Sequence, residues 1–199
     1  MTIFESIIQL DKAATLWINN LATPATDSFW WLMSATRPWF PVYIAIGIFA
    51  LWKLGWKRGL ALILTVALSV VVIDQGDNLV KVSVGRLRPC FDYWMNCNGL
   101  RLPYGIPPST AKYGFFSAHA GNSFGFAIVS YLGFKWYSPQ SNFKIYGWVV
   151  FVWATFMSIS RIMMGAHFLG DITVGALVGL GIGYLLAFLA RKIVVKAGL

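Results

Sequence analysis

The sequence predicts an all-α integral membrane protein, a helical bundle of about five spans (six in the alternative count) with an amphipathic interfacial helix at its start. Three observations predict it. Of 199 residues, 58% are hydrophobic and 12% charged, with mean hydropathy +0.66; a soluble domain of this length is far more polar. The runs 59–73, 115–134, 145–160 and 172–190 are nearly free of charge. With their flanks they reach the roughly 20 residues that a bilayer span requires. The remaining charge collects in the connections between them.

Taken in order, residues 1–22 place Ile3, Phe4, Ile7, Ile8, Leu10, Ala14, Trp17, Ile18 and Leu21 at near-helical spacing, the pattern of a helix lying in the interface. Glu5, Asp11 and Lys12 interrupt what would be the apolar core of a leader, and no basic stretch precedes it, so no cleavable signal peptide is expected. Residues 38–54 form a short, weaker span, followed by spans at 59–80, 115–135, 145–160 and 171–190. Gly175, Gly179 and Gly183 recur every four residues in the last, which predicts close helix packing within the chain or in a dimer. Trp30, Trp31, Trp39, Trp52, Trp136 and Trp148 are expected in interfacial belts. The chain reads as a single domain, 1–199, without internal repeats.

Lys plus Arg number 16 against 7 Asp plus Glu, a net charge of +9. No compact basic domain exists to bind nucleic acid, so sidedness and an anionic ligand account for the excess. Lys53, Lys57, Arg58, Lys135, Lys144, Arg191, Lys192 and Lys196 share one side, expected to be cytoplasmic. The other side holds the long loop 82–114 and the turn around 161–170, with Lys81, Arg86, Arg88, Arg101, Lys112 and Arg161. Several of those cations are expected to serve a site; Arg86 and Arg101 are expected to be solvated or at lipid headgroups. Cys90 and Cys97 share the outer loop, and a disulfide is slightly favoured there over two free thiols.

Three polar clusters lie at span ends on that outer side. In KVSVGRLRP, residues 81–89, Lys81 and Arg88 are seven apart and share a helix face for as long as the helix lasts, though Pro89 disfavours its continuation. Asp77, four before Lys81, is expected to pair with it. In FFSAHAGNSF, residues 115–124, Ser117 is an N-cap candidate with His119 in the first turn, and a helix N-terminus suits phosphate. Asn122, one turn on, is open between supporting that site and packing. In SRIMMGAHFLGD, residues 160–171, His167 and Asp171 are four apart on one helix face, and Gly165 permits a break that folds Arg161 back toward His167. Lys81, Arg88 and Arg161 match a phosphate dianion. One imidazole suits attack at phosphorus and the other protonation of the leaving oxygen, with Asp171 orienting His167. Clustered cations repel a divalent metal, so neither metal nor cofactor is expected.

The series K-x6-R-P, Ser-x-His and S-R-x5-H-x3-D, in this order, resembles the type-2 phosphatidate phosphatase superfamily. It covers residues 81–171 by motif and most of the chain by layout. The resemblance implies a nucleophilic His167 forming a phosphohistidine, Asp171 orienting it, and His119 as general acid and then base. Lys81, Arg88, Ser117 and Arg161 would hold the phosphate. The usual glycine before the second-motif histidine is Ala118 here, where a positive φ would be strained. The implied activity is hydrolysis of a lipid phosphate: undecaprenyl diphosphate first, a lipid A phosphate second, phosphatidylglycerol phosphate or phosphatidate third. Transfer of the same phosphoryl group to another acceptor is the alternative, and transport a remote one. The expected location is a bacterial inner membrane, with the site facing the periplasm or exterior. The sequence leaves oligomeric state open.

Overall fold

A computed structural model describes residues 2–105 and 111–198. The described residues form eight α-helices: α1 (Ile3–Asn19), α2 (Asp27–Ser34), α3 (Phe40–Leu54), α4 (Trp56–Val84), α5 (Tyr93–Cys97), α6 (Ala118–Tyr137), α7 (Lys144–Met163) and α8 (Leu169–Lys196). Helices α3, α4, α6, α7 and α8 coincide with the five expected spans. Of the described helices α4, α7 and α8 are long and apolar enough to cross a membrane, with mean hydropathies of 2.0, 1.4 and 2.2. The sequence did not anticipate α2 and α5, two short helices too brief to show a periodic face. Residue 1 of the expected interfacial helix and 106–110 of the outer loop lie outside the described residues.

Helix α6 is the central element, packed against α4, α7 and most extensively α8. The last contact explains the glycine repeat. A Cβ at Gly175, Gly179 or Gly183 would lie 2.4 Å from Ser117 O, 2.1 Å from Gly121 O and 3.1 Å from Gly125 O. The stripe therefore lets two backbones touch within this chain. Away from this contact, Leu62, Val129, Phe134 and Ala187 form the main apolar cluster, with Phe134 stacked on Phe143 at 5.0 Å. Trp30 stacks on the exposed Phe156 and Trp39 meets Trp153 edge-on, whereas Trp31, Trp52 and Trp148 are themselves exposed.

Helix α1 is amphipathic as expected, and starts with a capping box between Thr2 and Glu5. Its apolar residues Ile3, Phe4, Ile7, Leu10 and Trp17 are exposed, while Thr15 and Asn19 are fully buried. The polar face is thus the one turned to the protein. Asn19 Nδ2 donates to Ile162 O at 2.9 Å and to Arg101 O at 3.0 Å. Thr15 Oγ1 accepts from Leu169 N at 2.8 Å, and Asp11 Oδ1 from Gly170 N at 2.8 Å. Carbonyls at the end of a helix and N–H groups at its start lack intrahelical partners; α1 supplies hydrogen bonds to both kinds, at the end of α7 and the start of α8.

Two loop expectations are corrected. Cys90 and Cys97 are free thiols, one buried and one exposed, because α5 carries Cys97 outward while Cys90 packs beneath the 161–171 turn, its N–H donating to Gly165 O at 3.2 Å. Arg101 is not a solvated headgroup contact: its Nη1 and Nη2 both donate at 2.6 Å to the two carboxylate oxygens of Asp27.

Gly179→Ala is expected to destabilise the protein by about 1–3 kcal/mol or prevent folding, since the new methyl meets backbone rather than a movable side chain. Gly181→Ala, where a Cβ meets nothing within 4 Å, is expected to be neutral or slightly stabilising. Thermal unfolding in detergent compares the two.

Candidate active site

Helix α4 stops at Val84 because Gly85 adopts a left-handed φ of 60° and returns its N–H to Lys81 O at 3.0 Å. The chain then runs extended and pairs antiparallel with residues 112–114. Arg88 N donates to Lys112 O at 2.8 Å and Gly114 N to Arg86 O at 3.0 Å, with Leu87 opposite Tyr113. Residues two apart in an extended segment point the same way, so Arg86 and Arg88 both reach the 161–171 turn and Leu87 faces out. Lys81 and Arg88 therefore do not share a helix face; the strand-like segment, not helical periodicity, delivers Arg88.

Arg88 is buried. Its Nε donates to Ala111 O and its Nη1 to Ala166 O, each at 3.0 Å, and Nη1 also lies 2.8 Å from His167 Nε2. An arginine only donates, so Nε2 accepts and the proton of the neutral ring belongs on Nδ1. Nδ1 faces Asp171 Oδ2 at 3.5 Å, a long contact of the kind that tightens when a positive charge forms on the ring. Gly114 is a required neighbour: a Cβ there would sit 2.8 Å from Arg88 Cγ and 3.5 Å from His167 Nδ1.

The turn before α8 bears out the break at Gly165, whose φ is 69°. Ala166 N and His167 N both return to Arg161 O, at 2.8 and 3.2 Å, which folds His167 over Arg161. The Arg161 side chain is buried, and its Nη1 donates to Ser34 Oγ at the end of α2. Asp171 is fully buried; Oδ2 accepts from Phe168 N at 3.0 Å and Oδ1 from Arg86 Nη1 at 2.7 Å. Arg86 Nη2 in turn donates to Asp11 Oδ2 at 2.5 Å. Arg86 was expected in solvent or at lipid headgroups; it is half-buried between two carboxylates, with its guanidinium 4.1 Å from the Phe168 ring centre.

Ser117 caps α6 as expected, its Oγ accepting from Ala120 N at 3.4 Å, while its own N–H donates to Asp171 O at 3.1 Å. Ala118 opens the helix; among the described residues Tyr104 alone, of the non-glycines, has a positive φ. Ala118 therefore does not adopt the positive φ that would strain it. His119 Nε2 lies 3.5 Å from Thr36 Oγ1. Both histidines sit within electrostatic reach of Arg88, Arg161 and Lys81. Lys81 is paired with the buried Asp77, as anticipated. Asn122 Nδ2 donates to Asp74 Oδ1 at 2.8 Å, joining α6 to α4 under His119.

All seven expected residues thus converge where α4, α6, α7 and α8 end. Sequence reasoning missed Arg86, Gly114, Asp11 and Ser34. The alternation Arg-x-Arg after a helix-ending glycine is a signal for the first. From His119 an apolar cleft of about 450 Å³ runs between α3, α4 and α6, past Asn122, Phe126, Val70 and Val66 to Tyr43 and Gly47. Chemically, the arrangement offers a neutral imidazole lone pair on a cationic floor, a second imidazole nearby, and an oily channel leading away.

The PAP2 superfamily model matches residues 54–194. A lipid A 4'-phosphatase of Bacteroides thetaiotaomicron is 30% identical over 201 residues, 96% of this chain and 82% of that protein. One from Porphyromonas gingivalis is 30% identical over 186 residues, 90% of this chain and 72% of that protein. The crystal structure of Aquifex aeolicus LpxE superposes with a TM-score of 0.59 at 22% identity, covering 87% of this chain and 92% of that one. That of a transmembrane PAP2-type phosphatidylglycerolphosphate phosphatase from Bacillus subtilis gives 0.64 at 20% identity, covering 96% and 87%.

Burial, then the charges of Arg88, Arg161 and Lys81, holds the His167 imidazole well below the ordinary histidine range. In the unfolded chain it titrates near 6.5. The unfolded state therefore takes up the proton first. The His167 contribution to stability is level above about pH 6.5 and is lost as pH falls below it. With only two histidines in the chain, ¹⁵N-histidine NMR on the native protein and His119→Gln is expected to show His167 neutral at pH 6; a midpoint at or above 6.5 contradicts the assignment.

Proposed function

The chain belongs to the PAP2 superfamily and is a multi-pass membrane lipid phosphatase, and on that premise we propose that it removes a phosphate monoester from a lipid A-type glycolipid through a phosphohistidine on His167. The observation that carries the reading is the two-sided setting of that ring. Nε2 lies 2.8 Å from Arg88 Nη1 and Nδ1 faces the Asp171 carboxylate.

Arg88, Arg161 and Lys81 take up the phosphate oxygens, with the Ser117 hydroxyl donating. Arg88 passes from Nε2 to a phosphate oxygen as the phosphate arrives. Nε2 then attacks phosphorus in line. The P–O bond to the lipid breaks as the P–N bond forms, and His119 gives its proton to the departing oxygen. Asp171 stabilises the positive charge developing on His167. In the second half, His119 takes a proton from water, the hydroxide oxygen bonds to phosphorus, and the P–N bond breaks to release inorganic phosphate. The cationic floor supplies the charge stabilisation throughout, so turnover is expected to persist in excess EDTA.

The apolar cleft supports a lipid substrate, because it joins the phosphate site to the lipid-facing flank between α3 and α4. The two 30%-identical relatives move lipid A ahead of undecaprenyl diphosphate, the first expectation from sequence. In the arrangement we favour, α3, α4, α6, α7 and α8 are five spans and α1 lies in the interface with its exposed apolar face in lipid. The phosphate site opens on the periplasmic side of the inner membrane. Opposite it, Lys57, Lys135, Arg191 and Lys192 lie over Trp56, Tyr131, Trp136 and Phe188, a basic, aromatic end suited to the cytoplasmic interface. The chain then forms one domain, 1–199, with 82–114 as its outer loop.

The test is phosphate release from lipid A, undecaprenyl diphosphate, phosphatidylglycerol phosphate and phosphatidate in detergent with EDTA. Native protein is expected to prefer lipid A, and His167→Ala to release nothing above background. Gly47→Leu, which narrows the cleft, is expected to raise KM for long-chain substrates about tenfold and leave a short-chain phosphatidate unaffected. Equal release by His167→Ala, or phosphate recovered on a second lipid rather than free, contradicts the reading.

A further inference from the structure

Helix α1 meets the site through one side chain. Asp11 Oδ2 accepts from Arg86 Nη2 at 2.5 Å and Asp171 Oδ1 from Arg86 Nη1 at 2.7 Å, while the other Asp171 oxygen faces His167 Nδ1. Hydrogen bonds join Asp11, Arg86 and Asp171, whose other oxygen lies 3.5 Å from His167 Nδ1, and the series begins on a helix that contributes nothing to the phosphate floor.

We infer that Arg86, held by Asp11, is a positioning residue for the reaction: it keeps the Asp171 carboxylate ionised and aimed at His167, and so makes the polar face of α1 part of the catalytic apparatus. The inference rests on the roles of His167 and Asp171 proposed above. Its physical basis is that a fully buried carboxylate holds its charge poorly unless a cation is in contact. Arg88 is the other cation acting on Asp171, but its hydrogen bonds go to Ala111 O, Ala166 O and His167 Nε2, and it has the phosphate to bind. Arg86 is withheld from that duty, because both of its donating ends are on carboxylates. Lys12, the neighbouring cation on α1, is turned away to Asp92 at 2.7 Å. Asp11 is fixed from a second direction too, its Oδ1 accepting from Gly170 N at 2.8 Å. It therefore sets Arg86 and the first turn of α8, where Asp171 resides, in one frame.

A residue that acts through Asp171 affects the chemical step and not phosphate binding. Partners that orient a functional side chain at one remove typically carry 10–100-fold. Arg86→Met, which keeps the stem against Phe168, is expected to lower kcat by about 100-fold with KM within threefold of native. Arg86→Lys, which restores a charge beside Asp171, is expected to recover at least tenfold of that loss. Asp11→Asn, still able to accept from Gly170 N, is expected to lower kcat about tenfold, again at constant KM. Melting temperatures and the His167→Ala control accompany each assay. Loss of activity in native protein, or its survival in His167→Ala, overturns the parent reading. With both controls as expected, three results overturn this inference alone: kcat of Arg86→Met within threefold of native, a KM rising in step with the loss, or no recovery in Arg86→Lys. Should Arg86→Met fail to fold, Asp11→Asn decides by the same kcat and KM criteria.

Discussion

Asp171 is fully buried in the first turn of α8, and four segments converge on it. Its peptide oxygen accepts from Ser117 N at the start of α6, Oδ2 from Phe168 N, and Oδ1 from Arg86, itself held by Asp11 of α1. A buried carboxylate without such partners is strongly destabilising. With them, it fixes the helix ends that carry His119 and His167 relative to each other. The glycine stripe of α8 makes this possible, because Ser117 N reaches Asp171 O only where the α6 and α8 backbones approach within contact distance.

The same constraint explains how so many cations sit together at one end of an oily bundle. Arg86, Arg101 and Lys81 are each matched by a carboxylate, Asp11 with Asp171, Asp27, and Asp77. Arg88 and Arg161 are instead held by oxygens of the neutral groups Ala111, Ala166 and Ser34. The two buried arginines without an acidic hydrogen-bond partner are those assigned to phosphate. Lys81, the third cation assigned to phosphate, differs from them in keeping Asp77 as a partner.

Much of this was legible in the sequence where one local rule sufficed. The hydrophobic runs located the five long helices, Ser117 announced the α6 cap, and Gly165 announced the turn that folds Arg161 under His167. The motif series brought all seven expected residues to one place. What the sequence hid depended on long-range pairing. Arg86 looked like a solvated charge because Asp11, its partner, lies 75 residues away. Helical spacing misassigned the link between Lys81 and Arg88 because Gly85 ends the helix and the pairing with 112–114, invisible locally, makes the next residues extended. The N-terminal helix was read as amphipathic, but periodicity does not tell which face meets protein; here the minority polar face does.

Every role proposed for the other side chains depends on His167 Nε2 bonding to phosphorus. Rapid acid-free quenching of turnover with ³²P-labelled lipid phosphate, followed by peptide mapping, tests it most directly. An acid-labile, base-stable label is expected on the peptide containing His167. The label should accumulate in His119→Ala, where breakdown lacks its base, and vanish in His167→Ala. Turnover by native protein with no label at any time, or label on another residue, would contradict it.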